Sequence, residues 1–184
     1  MKLPLNRRRF LGMGAAVLAY PFFSRLACFA SPEPLPPDRS LAFFNTRTEE
    51  SAAVVYCQSG CLIPPSLEKI DYILRDCRTG EGKPIDVRLL DLLHTLSQKL
   101  ALDNPFHVIS GYRCPETNQT LKATRGGGVA KRSLHMDGKA IDIRLPGVPL
   151  ADVRDAALEL KLGGVGYYQR DQFVHVDTGR VRYW

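Results

Sequence analysis

The chain has 184 residues, 45% of them hydrophobic and 24% charged, a globular composition with room for one domain and a leader. Its formal net charge of +6 would ordinarily suggest nucleic acid. Lys2, Arg7, Arg8, Arg9 and Arg25 all fall in the first thirty residues, however, so the remainder holds 20 basic against 19 acidic side chains, and nucleic acid is excluded as a partner.

Residues 1–30 read as an export signal: the basic start "NRRRFLGMG", an apolar run from Leu11 to Phe23, and small residues in "RLACFA". That run is shorter than the roughly twenty residues a membrane helix needs, so no membrane span is expected in the mature form. Arg7, Arg8, Arg9, Phe10 and Leu11 resemble a twin-arginine signal, with Asn6 where Ser or Thr is usual; a Sec-type signal is the alternative. Cleavage is expected after Ala30, and the periplasm follows as destination. Cys57, Cys61, Cys77 and Cys114 remain, an even count that in an exported protein points to one or two disulfides ahead of a structural zinc.

Residues 31–40, "SPEPLPPDRS", form a proline-rich linker, and one domain is expected over residues 41–184. "LAFFNT" and "AAVVYC" read as a hairpin around the polar turn "RTEE". "PSLEKIDYILRDC" spaces Leu67, Ile70, Ile73 and Leu74 as a helix, and "DVRLLDLLHTLSQKLA" does the same with Val87, Leu90, Leu93, Leu96 and Leu100. His94 in that second helix reads as packing. "FHVISGYR" is a short strand ending in a glycine turn, and "CPETNQTLKA" a short helix. "TRGGGVAKRS" is a glycine-rich loop without the Lys-Ser or Lys-Thr of a phosphate cradle. "KAIDIRL" is a strand, "PLADVRDAALELK" a helix, and "GGVGYY" and "FVHVDT" are strands joined through "QRDQ". The order predicts an α+β fold, a single compact domain with a mainly antiparallel sheet and flanking helices.

Strand periodicity locates the chemistry. In "KAIDIR", Ile141 and Ile143 share one face and Ala140 and Asp142 the other; in "FVHVDT", Val174 and Val176 oppose Phe173, His175 and Asp177. If the two strands are neighbours, Asp142 and His175 face one cleft, and a tight turn at Gly138 brings His135 over it. Two imidazoles and a carboxylate leave a fourth position open, the arrangement of catalytic zinc. Such a metal lowers the pKa of its water to about 7 and polarises a carbonyl.

"SLHMDGKAID" followed by "FVHVD" resembles the motif pair of the zinc-dependent D-Ala-D-Ala carboxypeptidase and murein endopeptidase superfamily, whose fold is hedgehog- and VanX-like. The pattern Ser-x-His-x-x-Gly-x-Ala-x-Asp is met at Ser133, His135, Gly138, Ala140 and Asp142, and the third ligand at His175. "LAFFNTRTEE", "LRDCRTGE", "SGYR" and "GGVGYY" are similar to the exported branch typified by the murein endopeptidase MepK. The resemblance implies Zn2+ held by His135, Asp142 and His175, and action on peptidoglycan peptide crosslinks, including those between diaminopimelate residues; a monomer is expected. It assigns Arg113 to the substrate carbonyl or carboxylate, and Ser133 and Tyr112 to substrate binding.

The chain departs from many relatives at Gln172, which stands where a general base, Glu or Asp, is usual three residues before the last ligand. Asp177 is the expected catalytic carboxylate, with orientation of a ligand's second nitrogen as its alternative role; Asp171 lies in a turn of undetermined direction. A D,D-carboxypeptidase trimming stem peptides and a non-catalytic wall-binding module are the competing functions.

Overall fold

The computed structural model describes residues 37–124 and 130–184. The expected leader, most of the linker and the three-glycine cluster lie outside the described residues.

The expected hairpin forms from β1 (Arg39–Asn45) and β2 (Ser51–Gln58), paired antiparallel with Phe43 opposite Ala52. Its turn is built by Asn45, whose side-chain oxygen accepts the Arg47 N–H at 3.0 Å. The strand takes in Arg39 and Ser40, which the sequence places in the linker, because Arg39 is anchored by Asp91 and by Cys57 Sγ.

The short β3 (Cys61–Leu62) pairs antiparallel with β2, Cys57 opposite Leu62 and Gln58 opposite Cys61. Residues one step out of register point to opposite faces, so Cys57 is buried and Cys61 exposed. The disulfide expectation is corrected here: among the described residues all four cysteines are thiols. Cys114 instead lies within 3.4 Å of the Thr117 N–H and hydroxyl.

Helix α1 (Pro64–Ile73) begins with prolines where N–H groups have no helical partner. It ends at Ile73, short of the expected Cys77, because Asp76 draws the chain into a turn. The Asp76 N–H donates to Glu81, its carbonyl accepts from Gly80, and its carboxylate accepts from the Arg78 N–H. Helix α2 (Val87–Lys99) is N-capped by Asp86, which accepts the Arg88 N–H at 3.0 Å. Its buried stripe is Leu89, Leu90, Leu92, Leu93 and Leu96, wider than the spacing alone suggested, because α2 packs on β1 and also on a later helix. His94 packs edge-on to Tyr56, as expected of a non-ligand.

Strand β4 (Phe106–Ser110), helix α3 (Pro115–Thr124), a 3-10 turn at Leu134–Asp137, β5 (Ala140–Arg144), α4 (Leu150–Leu160), β6 (Gly164–Tyr168), β7 (Phe173–Asp177) and β8 (Arg182–Tyr183) complete the chain. The strands form one sheet in the order β3-β2-β1-β4-β5-β7-β6-β8. Only β1–β4 and β6–β8 pair parallel, so the sheet is mainly antiparallel and the fold α+β, as expected. Phe43, Val108, Ile141, Ile143, Val174 and Val176 join the leucines of α2 in one core, each with almost no exposed surface. Burying each such side chain is worth about 1.5–3 kcal/mol. The alternate residues of β5 and β7 are left for the opposite face, where the polar groups gather. No helix among the described residues is long and apolar enough to cross a membrane.

Candidate metal centre

Asp142 and His175 are directly opposite each other on β5 and β7. His135 reaches them from the 3-10 turn, which closes at Gly138 in the left-handed region (φ +66°). A Cβ at Gly138 would stand 2.5 Å from the Pro84 carbonyl oxygen, so only glycine fits both the backbone and the space. The turn is fastened from outside: the Asp86 N–H donates to the Gly138 carbonyl, the Arg113 N–H to the His135 carbonyl, and Lys83 Nζ to the Met136 carbonyl.

The three donor atoms form a near-equilateral triangle. His135 Nε2 lies 3.2 Å from Asp142 Oδ1 and 3.2 Å from His175 Nδ1, and the last two are 2.8 Å apart. Tetrahedral zinc with bonds of about 2.0–2.1 Å asks for donor separations of about 3.3 Å, so small outward shifts would seat the ion. The other nitrogens are committed: His135 Nδ1 lies 2.7 Å from the Gly111 carbonyl, and His175 Nε2 lies 3.1 Å from Asp177 Oδ2. A proton on each of those nitrogens leaves the lone pairs of His135 Nε2 and His175 Nδ1 turned inward, the usual outer support of a metal-binding histidine.

The electrostatics favour a cation. Burial opposes the charge on Asp142, yet His135 and His175 beside it hold its carboxyl far below the usual range. Burial lowers the His135 imidazole. On His175 burial also acts downward, but hydrogen bonds to Asp142 and Asp177 prevail and raise it. The cluster therefore attracts positive charge between groups that are all but sealed from water.

Arg113 reaches the same carboxylate from the loop after β4, its Nη2 3.2 Å from Asp142 Oδ2 and 3.1 Å from Ser110 Oγ. It stands with Asp142 and Phe173 where two depressions meet. One is bordered by Asn45, Arg47, Arg78 and Tyr112, the other by Arg132, Ser133, Tyr168 and Trp184. Ser133 thus borders the depression that holds all three donors, and Tyr112 the one that shares only Asp142 of them.

Asp177 shares the face of His175, as alternation predicted, but is fully buried. Its oxygens receive the N–H groups of Gly164 and Gly179 and the Arg182 guanidinium, besides His175 Nε2. Although burial acts the other way, these partners hold its carboxyl far below the usual range. A carboxylate so engaged has no oxygen turned to a reacting water. These contacts suit the stated alternative role of Asp177, orientation of His175. Gln172 turns its amide back on the Gln169 carbonyl, and Asp171 lies exposed in the same turn.

The sequence reading missed four residues. Tyr168, Arg182 and Trp184 border the second depression. The signal for them was Gly164 and Gly166, two apart on one strand, a pattern that marks a close approach. The fourth, Asp76, is buried and holds the Arg113 loop, its Oδ2 accepting the Cys114 N–H at 2.8 Å and Oδ1 the Arg78 N–H at 2.9 Å.

In Asp76→Asn the amide nitrogen would face one of those N–H donors, and a loss of about 1–3 kcal/mol is expected. Burial opposes the Asp76 charge, but its hydrogen bonds win and lower its pKa on folding. Its contribution is therefore present above the unfolded value of about 3.9 and is lost as pH falls through the folded value. Denaturant melts should show the deficit of Asp76→Asn at neutral pH and its shrinkage in acid; a pH-independent deficit would rule out the ionised carboxylate as its source.

Comparison with known proteins follows the same lines. Residues 34–184 match a family model described as peptidoglycan L,D-endopeptidase MepK. The chain is 40% identical over 188 residues to the peptidoglycan L,D-endopeptidase MepK of Escherichia coli strain K12, covering 100% of this chain and 99% of that protein. It is 39% identical over 182 residues to a Haemophilus influenzae protein named "Probable peptidoglycan L,D-endopeptidase MepK", covering 97% and 95%.

Proposed function

The chain belongs to the peptidoglycan L,D-endopeptidase MepK family of metallopeptidases, and from that membership we propose that it is a zinc-dependent endopeptidase cutting peptide crosslinks of peptidoglycan, those between diaminopimelate residues in particular. The observation that carries this reading is the placement of the donor triangle beside the junction of two depressions. An endopeptidase must seat chain on both sides of the scissile bond, whereas a carboxypeptidase needs a cleft on one side only. The arginines along both flanks, Arg47 and Arg78 on one and Arg132 on the other, suit a substrate bearing carboxylates.

His135, Asp142 and His175 would hold the zinc, which supplies Lewis acidity. Asp177 keeps His175 in the tautomer that presents Nδ1, and Arg182 neutralises Asp177. Arg113 offers a guanidinium to the oxygen that gains charge as the amide carbonyl is attacked. Ser133 and Tyr112 line the two arms that receive the peptide. Residues 1–30 serve as a twin-arginine export signal and the residues between it and β1 as a linker, so that a monomeric domain works in the periplasm.

The test incubates the purified domain with defined crosslinked muropeptides, with and without a chelator. Expected is conversion of dimer to monomers, abolished by the chelator and restored by zinc. Trimming of free stem peptides alone would make it a carboxypeptidase; metal-independent binding without turnover would make it a wall-binding module.

A further inference from the structure

Three rows of side chains cross the polar face of the sheet. Asp142 lies opposite His175, which lies opposite Gly166; Asp177 lies opposite Gly164; Phe173 lies opposite Tyr168. On the far side of β6, β8 sets Arg182 beside Gly164, and Trp184 follows it, its N–H donating to the Val165 carbonyl and its carbonyl accepting from Tyr167.

Two glycines let this strand reach across its neighbour. Over Gly164, Arg182 extends to Asp177, 2.7 Å between Nη2 and Oδ2. Over Gly166, the Trp184 indole extends to His175, with ring centroids 5.3 Å apart. A Cβ on Gly166 would stand 2.7 Å from the indole.

The indole is held on several sides. Its Nε1–H donates to Tyr168 Oη at 2.8 Å, Tyr168 stacks on Phe173 with centroids 4.5 Å apart, and the Arg182 guanidinium carbon lies 4.9 Å from the indole centre. Trp184 is nonetheless 49% exposed, beside the donor triangle and in a depression that also carries Arg113, Arg132 and Arg182. A rigid, half-open aromatic plane among cations is a surface on which an alkyl chain can lie without desolvating a charge.

We infer that Trp184 is a specificity-determining residue. Its indole is the wall that receives the methylene arm of the diaminopimelyl residue next to the scissile bond. This rests on the endopeptidase reading for the identity of the arm; the wall itself rests on the geometry.

Trp184 is the single tryptophan of the sequence, so intrinsic emission reports on this position alone. Metal-free protein, which cannot turn over, is titrated with a diaminopimelate–diaminopimelate crosslinked muropeptide dimer, and a saturable change in emission is expected. In the zinc-loaded enzyme, Trp184→Ala should raise KM about tenfold or more, with kcat within about twofold and zinc content unchanged. Trp184→Phe, which keeps a ring, should recover most of the loss, and Gly166→Ala, which displaces the indole without removing it, should raise KM as Trp184→Ala does.

A wild-type KM in Trp184→Ala together with silent emission overturns the inference and leaves the endopeptidase reading untouched. A loss expressed in kcat and zinc content overturns it too, making Trp184 a support for His175. Saturable emission with a dimer that is never cut overturns the endopeptidase reading and sustains the wall.

Discussion

His135→Ala is expected to abolish both metal binding and hydrolysis while leaving the fold in place. The imidazole is 2% exposed and supplies one corner of the donor triangle, and no other side chain among the described residues stands ready to replace it. Two remaining ligands make a poor zinc site, since protein-held zinc takes three or four. The substitution also strips the Gly111 carbonyl of its partner at 2.7 Å, a cost of about 1–3 kcal/mol. That is within the 5–15 kcal/mol typical of a domain, and the core of α2 and the central strands is untouched. Metal analysis after dialysis should fall from about one zinc per chain to background, with an unchanged circular dichroism spectrum and no crosslink cleavage. Stoichiometric zinc in the triple variant His135→Ala, Asp142→Ala, His175→Ala would place the metal elsewhere.

Arg113→Lys should cost roughly a hundred- to a thousandfold in kcat with normal zinc content, the range seen when one donor to a developing oxyanion is removed. The guanidinium holds Asp142 and Ser110 through Nη2 as a planar group with several donors; a lysine has one nitrogen and no planar fork. Single-turnover kinetics on a crosslinked dimer, alongside metal analysis, decide the case. Unchanged kinetics would remove Arg113 from the reaction, and a loss confined to KM would make it a ground-state anchor for a substrate carboxylate.

The donor set was legible because its signals are local. Period-two alternation fixes the face of Asp142 and His175, and a glycine in a positive-φ turn fixes the return of His135. Asp177 shows where local signals stop. Alternation put it on the correct face, but its burial depends on Arg182, carried by a strand of two residues too short to show any period. The parallel pairing of β1 with β4 was likewise invisible, since it joins runs about sixty residues apart and no turn announces it. Helix α1 was read too long because the buried contacts of Asp76, which end it, come from residues up to Cys114.

The four unbridged thiols have a consequence for how the molecule reaches its native state. No covalent loop joins the described residues, so their folding meets the full conformational entropy of a linear polymer, about 1–2 kcal/mol per residue for the backbone alone. The cohesion that offsets it has to come from side-chain packing and the hydrogen-bonded sheet. Among the described residues no sulfur exchange sets the pace of folding, and the three donors come together once β5 and β7 have paired and the turn carrying His135 has closed on Asp86 and Arg113.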